Sequence, residues 1–432
     1  MRRIFMALAL TFLPPAGLFA STDIYIGVAS AGKDGGRSLM GMPLFFPERP
    51  GSAQDAVLAA NIRDTVRSDL MFSRYFEVTE TGPAVQPGKP GKDALEAWKA
   101  LGAQHLLTGK AADLGKAWTI SAKVHDLNRG EALVEKYYKG QASGSRRAAH
   151  MLADEIVWRL TGKPGIAHTR VAFANDSSGK KEIYTVDYDG QGLTRVTRDS
   201  SIALLPRWSP DGMRIYYTTY RHGNPDMFEI DFRLGKIKPF TTFQGLNIAG
   251  GVSPDGRSMV MTLSRGKDPN IHLLNMETGE IKKITSHFGV DTSATYSPDG
   301  RQIAFVSDRS GNPQVHVMDM ESGSTRRLTR LNWCDSPSWS PSGEWIVFAG
   351  RENPRDRLDI YLVDITGNQI RRITRDAGSN EDPSWSPDGR FIAFTSTRGG
   401  KKRQLYVMDA DGSAPHLIAD MPGNCYTPSW SP

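Results

Sequence analysis

The side chains with most scope for chemistry are carboxylates that recur at one place in a repeated pattern. Asp291, Asp335, Glu381 and Asp382 each stand a few residues before a Tyr- or Trp-Ser-Pro triplet. Oxygen ligands brought together in this way can hold a hard cation such as Ca²⁺. Spread around a rim they are simply a solvated polar edge, and that plainer reading is adopted, so no cofactor is expected. His222, His272, His287, His316 and His416 fall at unmatched places in the pattern, which argues against a ring of metal ligands. Gly-x-Ser-x-Gly, His-Glu-x-x-His, Cys-x-x-Cys, P-loop and Gly-x-Gly-x-x-Gly arrangements are all missing. With no nucleophile, base or phosphate cradle legible, binding is the expected role rather than catalysis.

The elements that must position these carboxylates are set by the repeat. Ser-Pro pairs begin at Ser209, Ser253, Ser297, Ser340, Ser386 and Ser431, at intervals of 44, 44, 43, 46 and 45 residues. Self-similarity at this period marks a β-propeller with one four-stranded blade per repeat. A second element, an apolar strand followed by a polar loop and an aromatic-rich strand, begins at Val171, Ile215, Met259, Ile303, Ile346 and Ile392. Its first copy lacks the preceding Trp-Ser-Pro strand, and the last Trp-Ser-Pro, at Trp430, has nothing after it. Pairing Thr427–Ser431 with the segment at Val171 predicts six blades closed by the C-terminal strand, which removes unpaired sheet edges. Within a blade, Pro-Ser-Trp-Ser is read as the innermost strand and Ser-Pro-Asp-Gly as its hairpin turn. Trp208, Trp339, Trp385 and Trp430 are read as core between blades. The acidic residues named above then lie just before innermost strands, at the mouth of a central channel. The loops joining second to third strands share that face. They carry 13 Lys/Arg against 6 Asp/Glu, a basic ring able to orient a partner or to be merely charged.

Residues 1–20 read as a secretory signal, with Arg2 and Arg3, an apolar run and small residues near Ala20. The run is too short for a stable membrane anchor, and no cysteine follows for a lipid. An exported chain beginning near Ser21 is expected, with 51 Lys/Arg against 47 Asp/Glu, a net charge of +4. That mild excess points to no nucleic-acid partner and no membrane insertion; a monomer is expected. Residues 21–161 do not follow the 44-residue rhythm. They predict a small α/β domain, with a strand at Asp23–Val28, a helix capped at Ser52 whose apolar face is Val57, Leu58, Ile62, Val66 and Leu70, and a hairpin around Asn128-Arg129-Gly130. A last helix opens at Ser145 and stops at Gly162. Residues 162–168 form the linker and 169–432 the propeller, so the chain is multidomain. Cys334 and Cys425 each stand five residues before a Trp, in equivalent loops two blades apart. A disulfide is geometrically open to them only near the axis, and two unpaired thiols are the adopted reading.

These features together resemble the TolB family of the Tol–Pal envelope system. The resemblance is carried by the signal, Arg37-Ser-Leu-Met-Gly-Met-Pro-Leu-Phe-Phe46, the α/β domain, the six Ser-Pro-Asp-Gly-type blades and the Pro428-Ser-Trp-Ser-Pro432 ending. It implies a non-catalytic periplasmic scaffold that receives a Pal-like peptidoglycan-associated lipoprotein at the propeller mouth. It also implies that the mature N-terminus engages a TolA-like inner-membrane protein, the whole supporting outer-membrane integrity and cell division. Carried over by position, the N-terminal segment is Ser21, Thr22, Asp23, Ile24, Tyr25, Ile26, Gly27, Val28 and Ala29. The mouth residues are Leu246, Asn247, Thr292, Ser293, Asp335, Ser336, Glu381 and Asp382. The chain departs from the family pattern where Leu246-Asn247 replaces His-Asn and Thr292-Ser293-Ala294 replaces Thr-Glu-Pro. The alternative reading is a periplasmic propeller enzyme acting on peptides or acidic sugars, gripped by the basic loops.

Overall fold

In the computed structural model, residues 36–85, 90–141, 144–265 and 268–432 are described. The N-terminal region is a sheet backed by helices. Strand β1 (Ser38–Gly41) is parallel to β3 (Phe76–Thr79) and to β4 (His105–Asp113), and β2 (Phe46–Pro47) also pairs β4. Strands β4, β5 (Ala117–Asp126) and β6 (Glu131–Gln141) form an antiparallel meander. Helix α1 (Ala53–Phe72) starts where the Ser52 hydroxyl accepts the Asp55 N–H, α2 is Lys92–Ala100, and α3 (Ser145–Thr161) ends on Gly162 at φ 70°. The buried face of α1 is Ala59, Ile62, Val66 and Leu70. Val57, expected on that face, is 62% exposed, because the helix turns its first apolar position to solvent.

Six four-stranded antiparallel sheets follow. Blade 1 is closed by Cys425–Trp430, which pairs with Arg170–Asn175; Trp430 stands opposite Val171. The innermost strands of blades 2 to 6 are Ala203–Trp208, Asn247–Val252, Asp291–Tyr296, Trp333–Trp339 and Asn380–Trp385. Each Ser-Pro-Asp-Gly turn is a self-contained unit. In the turns at Ser209, Ser253, Ser297 and Ser386 the Ser hydroxyl donates to the Asp carboxylate at 2.5–2.6 Å. The same hydroxyl accepts the N–H of the strand beyond, and the following Gly takes the positive φ that the turn requires. The blade is pinned at its rim as well. In blades 1, 3, 4 and 5 a Thr hydroxyl after the outer strand accepts an N–H of the third strand at 2.9 Å.

The α/β region packs against the Ser-Pro-Asp-Gly face at blades 1 and 6. Phe72 stacks on Phe391 at 4.5 Å and meets Tyr188 edge-on at 4.7 Å. Arg390 donates to the Ser73 carbonyl and lies over the Tyr75 ring, and Arg74 pairs with Asp409 at 3.3 Å. Buried Asp69 accepts from Tyr188 at 2.5 Å and contacts His150 at 2.8 Å. One hydrophobic core therefore runs through both regions, while among the described residues the α/β region does not pack on the opposite face, where the innermost strands begin.

Candidate functional site

At the open face the innermost strands share an irregularity. All six break register near their midpoint, a β-bulge. In five of them the residue three before the closing Tyr or Trp lies in the left-handed region: Leu205, Ser293, Ser336, Asp382 and Thr427, at φ 47–56°. Such a conformation costs a non-glycine residue about 1–2 kcal/mol. Its recurrence at one register position means that the surrounding ring holds it there.

The five residues line one central cavity of about 460 Å³, and four of them are linked across blades. The Leu205 N–H donates to the Thr427 hydroxyl at 3.1 Å, the Thr427 N–H to the Asp382 carboxylate at 3.1 Å, and the Ser336 hydroxyl to Asp382 at 2.9 Å. Asp382 is thus the hub of a polar girdle. Arg207 lies two residues below Leu205 on the same wall; burial lowers its pKa, while the charge of Asp382 works the other way. Asp335 is half-buried beside this hub. Burial, then the negative charges of Asp382 and Glu381, raise its carboxyl from 3.8 to about 6, against hydrogen bonds from the Ser336 N–H and the Ser293 hydroxyl.

The mouth carboxylates therefore differ in their freedom. Asp291 is fully buried and bidentate to Arg309 at 2.9 and 3.1 Å, so it is a structural ion pair. Glu381 is held by Arg403 at 2.6 Å and Ser379 at 2.7 Å. Asp382 lines the channel with Asp335 beside it, and neither has an ion pair among the described residues. All four lie within innermost strands rather than just before them, because these strands begin further upstream than the Pro-Ser-Trp pattern implies. Asn247 is wholly buried; its amide donates to the carbonyls of Pro225, Phe243 and Gly245 and accepts the Phe243 N–H. Leu246 and Thr292 are half-buried beside it and beside Ser293. Of the eight expected mouth residues, Ser293, Ser336 and Asp382 line the cavity itself. Residues 21–29 lie outside the described residues.

Sequence reasoning missed Leu205, Arg207 and Thr427, although counting back from each blade's aromatic residue would have found them. It also missed two apolar groups around the mouth: Phe288, on a loop and 85% exposed, and Trp333, at the start of an innermost strand and 36% exposed beneath the Arg351 guanidinium. Much of the basic loop ring is internally engaged. Arg309 pairs with Asp291, Arg403 with Glu381, Arg221 lies over Phe228 and Arg398 over Phe394. Cys334 and Cys425 are free and buried, and they lie within innermost strands rather than in loops, at the register position of Asn247, Asp291 and Asn380. Burial pushes their thiols up to about 11 and about 12. Among the described residues, no group of three or more His, Cys, Asp or Glu side chains is placed to hold a metal ion. No described helix is long and apolar enough to cross a membrane.

Residues 157–357 and 332–432 match the family model described as TolB beta propeller domain, and residues 41–133 match that of the TolB amino-terminal domain. The chain belongs to the TolB family. Its curated relatives include a Tol-Pal system protein TolB from Desulfosudis oleivorans, 34% identical over 253 residues, which are 57% of each chain. Another from Geobacter sulfurreducens is 35% identical over 212 residues, 49% of this chain and 48% of that one. The chain thus spans about half the length of the curated relatives it matches. Among solved structures, TolB from Acinetobacter baumannii superposes with a TM-score of 0.76 at 26% identity, covering 92% of this chain and 97% of that one. The family's two-part architecture accounts for both regions of the fold.

Proposed function

We propose that this protein is a non-catalytic periplasmic docking scaffold of the Tol–Pal system. In this reading the channel mouth receives a Pal-like peptidoglycan-associated lipoprotein, and residues 21–29 engage a TolA-like inner-membrane protein. The two contacts together support outer-membrane integrity and cell division. The observation that carries the reading is the division of the propeller's faces. The described α/β residues pack on the turn face, at blades 1 and 6 and away from the mouth, where Asp382 lines the cavity with Asp335 beside it, Phe288 lies on a loop and Trp333 opens an innermost strand. A polar, partly charged centre flanked by exposed aromatic side chains suits a protein partner, because a few such anchors supply most of the affinity at an interface. The curated relatives named Tol-Pal system protein TolB support the same reading.

The test is calorimetric titration of the exported chain with the periplasmic domain of the same organism's Pal-like lipoprotein. Saturable binding that weakens in Glu381→Ala/Asp382→Ala is expected. Binding unchanged by the substitutions would move the site elsewhere, and no heat of binding would remove the scaffold reading.

A further inference from the structure

Blade 3 breaks the pattern that seals every other blade. The innermost strand ends in Trp208, Tyr296, Trp339, Trp385 or Trp430, each buried, but in blade 3 it ends in Val252, which is only half-buried. Two neighbouring interfaces show what that ring normally meets. Between blades 1 and 2, Trp208 stacks on Phe232 at 5.7 Å, and the Arg170 guanidinium lies 5.1 Å from the Trp208 ring and 4.9 Å from Phe232. Between blades 3 and 4, Ser258, which opens its strand as Arg170 does, bonds the Tyr296 hydroxyl at 3.0 Å.

Between blades 2 and 3 the same three positions are Arg214, Val252 and Met276. The cation remains where an arginine lay beside two rings, but both rings are gone. The strand also packs closely on the other side. A Cβ on Gly251 would lie 3.1 Å from the Thr295 Cα, so the glycines let this strand press against blade 4. What is left is a groove of about 620 Å³ whose lining includes Arg214, Val252 and Met276, with Tyr216 and Phe240 on the blade 2 side. Tyr216 and Phe240 pack at 4.7 Å, giving an aromatic wall. Arg214 is anchored by Glu229 and Asp231, each at 3.4 Å.

We propose that this groove is a binding site for a planar aromatic ring of indole size, seated where the other blades place their own ring. Val252, Met276 and Phe240 supply apolar contact, and Arg214 supplies a cation over the ring face, as Arg170 does for Trp208. The volume lies within the range of small-ligand pockets. Residues at blades 1 and 6 hold the α/β region, so the groove is open on the turn face.

The experiment is saturation-transfer NMR on the exported chain, with indole and N-acetyl-tryptophanamide as probes and leucinamide as the non-aromatic control. Transfer to the ring protons of the wild type is expected, and its loss in Val252→Trp and in Met276→Phe, which fill the groove from either side. Arg214→Gln should weaken binding about two- to fivefold. Equal transfer to both probes assigns the site to free rings, and transfer to the capped amino acid alone assigns it to a ring borne on a peptide. No transfer in the wild type, equal transfer to leucinamide, or undiminished transfer in Met276→Phe overturns the proposal, and this last variant decides the matter if Val252→Trp does not fold.

Discussion

Asp335→Asn tests whether the mouth holds a charge against the stability of the fold. Burial and the neighbouring charges of Asp382 and Glu381 raise the carboxyl from its ordinary 3.8 to about 6. At about 1.4 kcal/mol per pH unit, that difference corresponds to an upper value of about 3 kcal/mol. Because Asp335 is only partly buried, solvent screening brings the expected effect to about 1–3 kcal/mol. The sign follows from proton binding. Between about pH 4 and 6 the folded chain holds the proton that the unfolded chain has lost, so stability falls as pH rises through this window. Asparagine keeps an oxygen for the Ser336 N–H and carries no charge at any pH. The variant should therefore match the wild type below about pH 4 and exceed it by about 1–3 kcal/mol at pH 7.5. Urea unfolding at both pH values reads this directly. A difference that is the same at both, or a variant less stable at pH 7.5, would refute the account of Asp335 as a strained carboxylate. The stabilised variant should also bind the mouth's partner more weakly if that charge serves docking.

Three further outcomes are expected. Trp430→Ala should destabilise the chain by about 3–5 kcal/mol, measured by urea unfolding, because its buried ring belongs to the core shared by both regions and its indole N–H bonds Thr169 at 2.9 Å across the closing seam. Phe288→Ala should leave unfolding midpoints unchanged, since the ring is 85% exposed, yet lower affinity for the Pal-like domain by about 1–2 kcal/mol in calorimetry. Cys334 and Cys425, with thiols raised to about 11 and about 12, should not react with Ellman's reagent at pH 8 until the chain is unfolded. Fast labelling of either in the native protein would contradict its burial.

Local chemistry made much of the architecture legible. The phase of the Ser-Pro repeat determined six blades and their closure, because each turn is built from side chains within five residues: Ser209 bonds Asp211 and the Arg214 N–H without outside help. Ser52 and Gly162 marked helix ends for the same reason. The candidate site was legible only in outline. Asn247 carries an ordinary polar side chain in the sequence, and only the folded loop around Phe243–Gly245 shows that its amide is consumed internally. Asp291 and Asp335 occupy neighbouring positions in the repeat, yet one is neutralised by Arg309 and the other pushed up by burial and by Asp382, a residue 47 positions away. The girdle joins Leu205 to Thr427, 222 residues apart, and the blade 2–3 groove exists because a ring is missing where two blades meet. Sequence by itself determined the strands, turns and ring count, since these depend on short-range hydrogen bonds and periodic burial. Tertiary structure alone decided which charges face the channel and where a gap opens, since closing the ring brings distant blades into contact and fixes each group's solvent and neighbours.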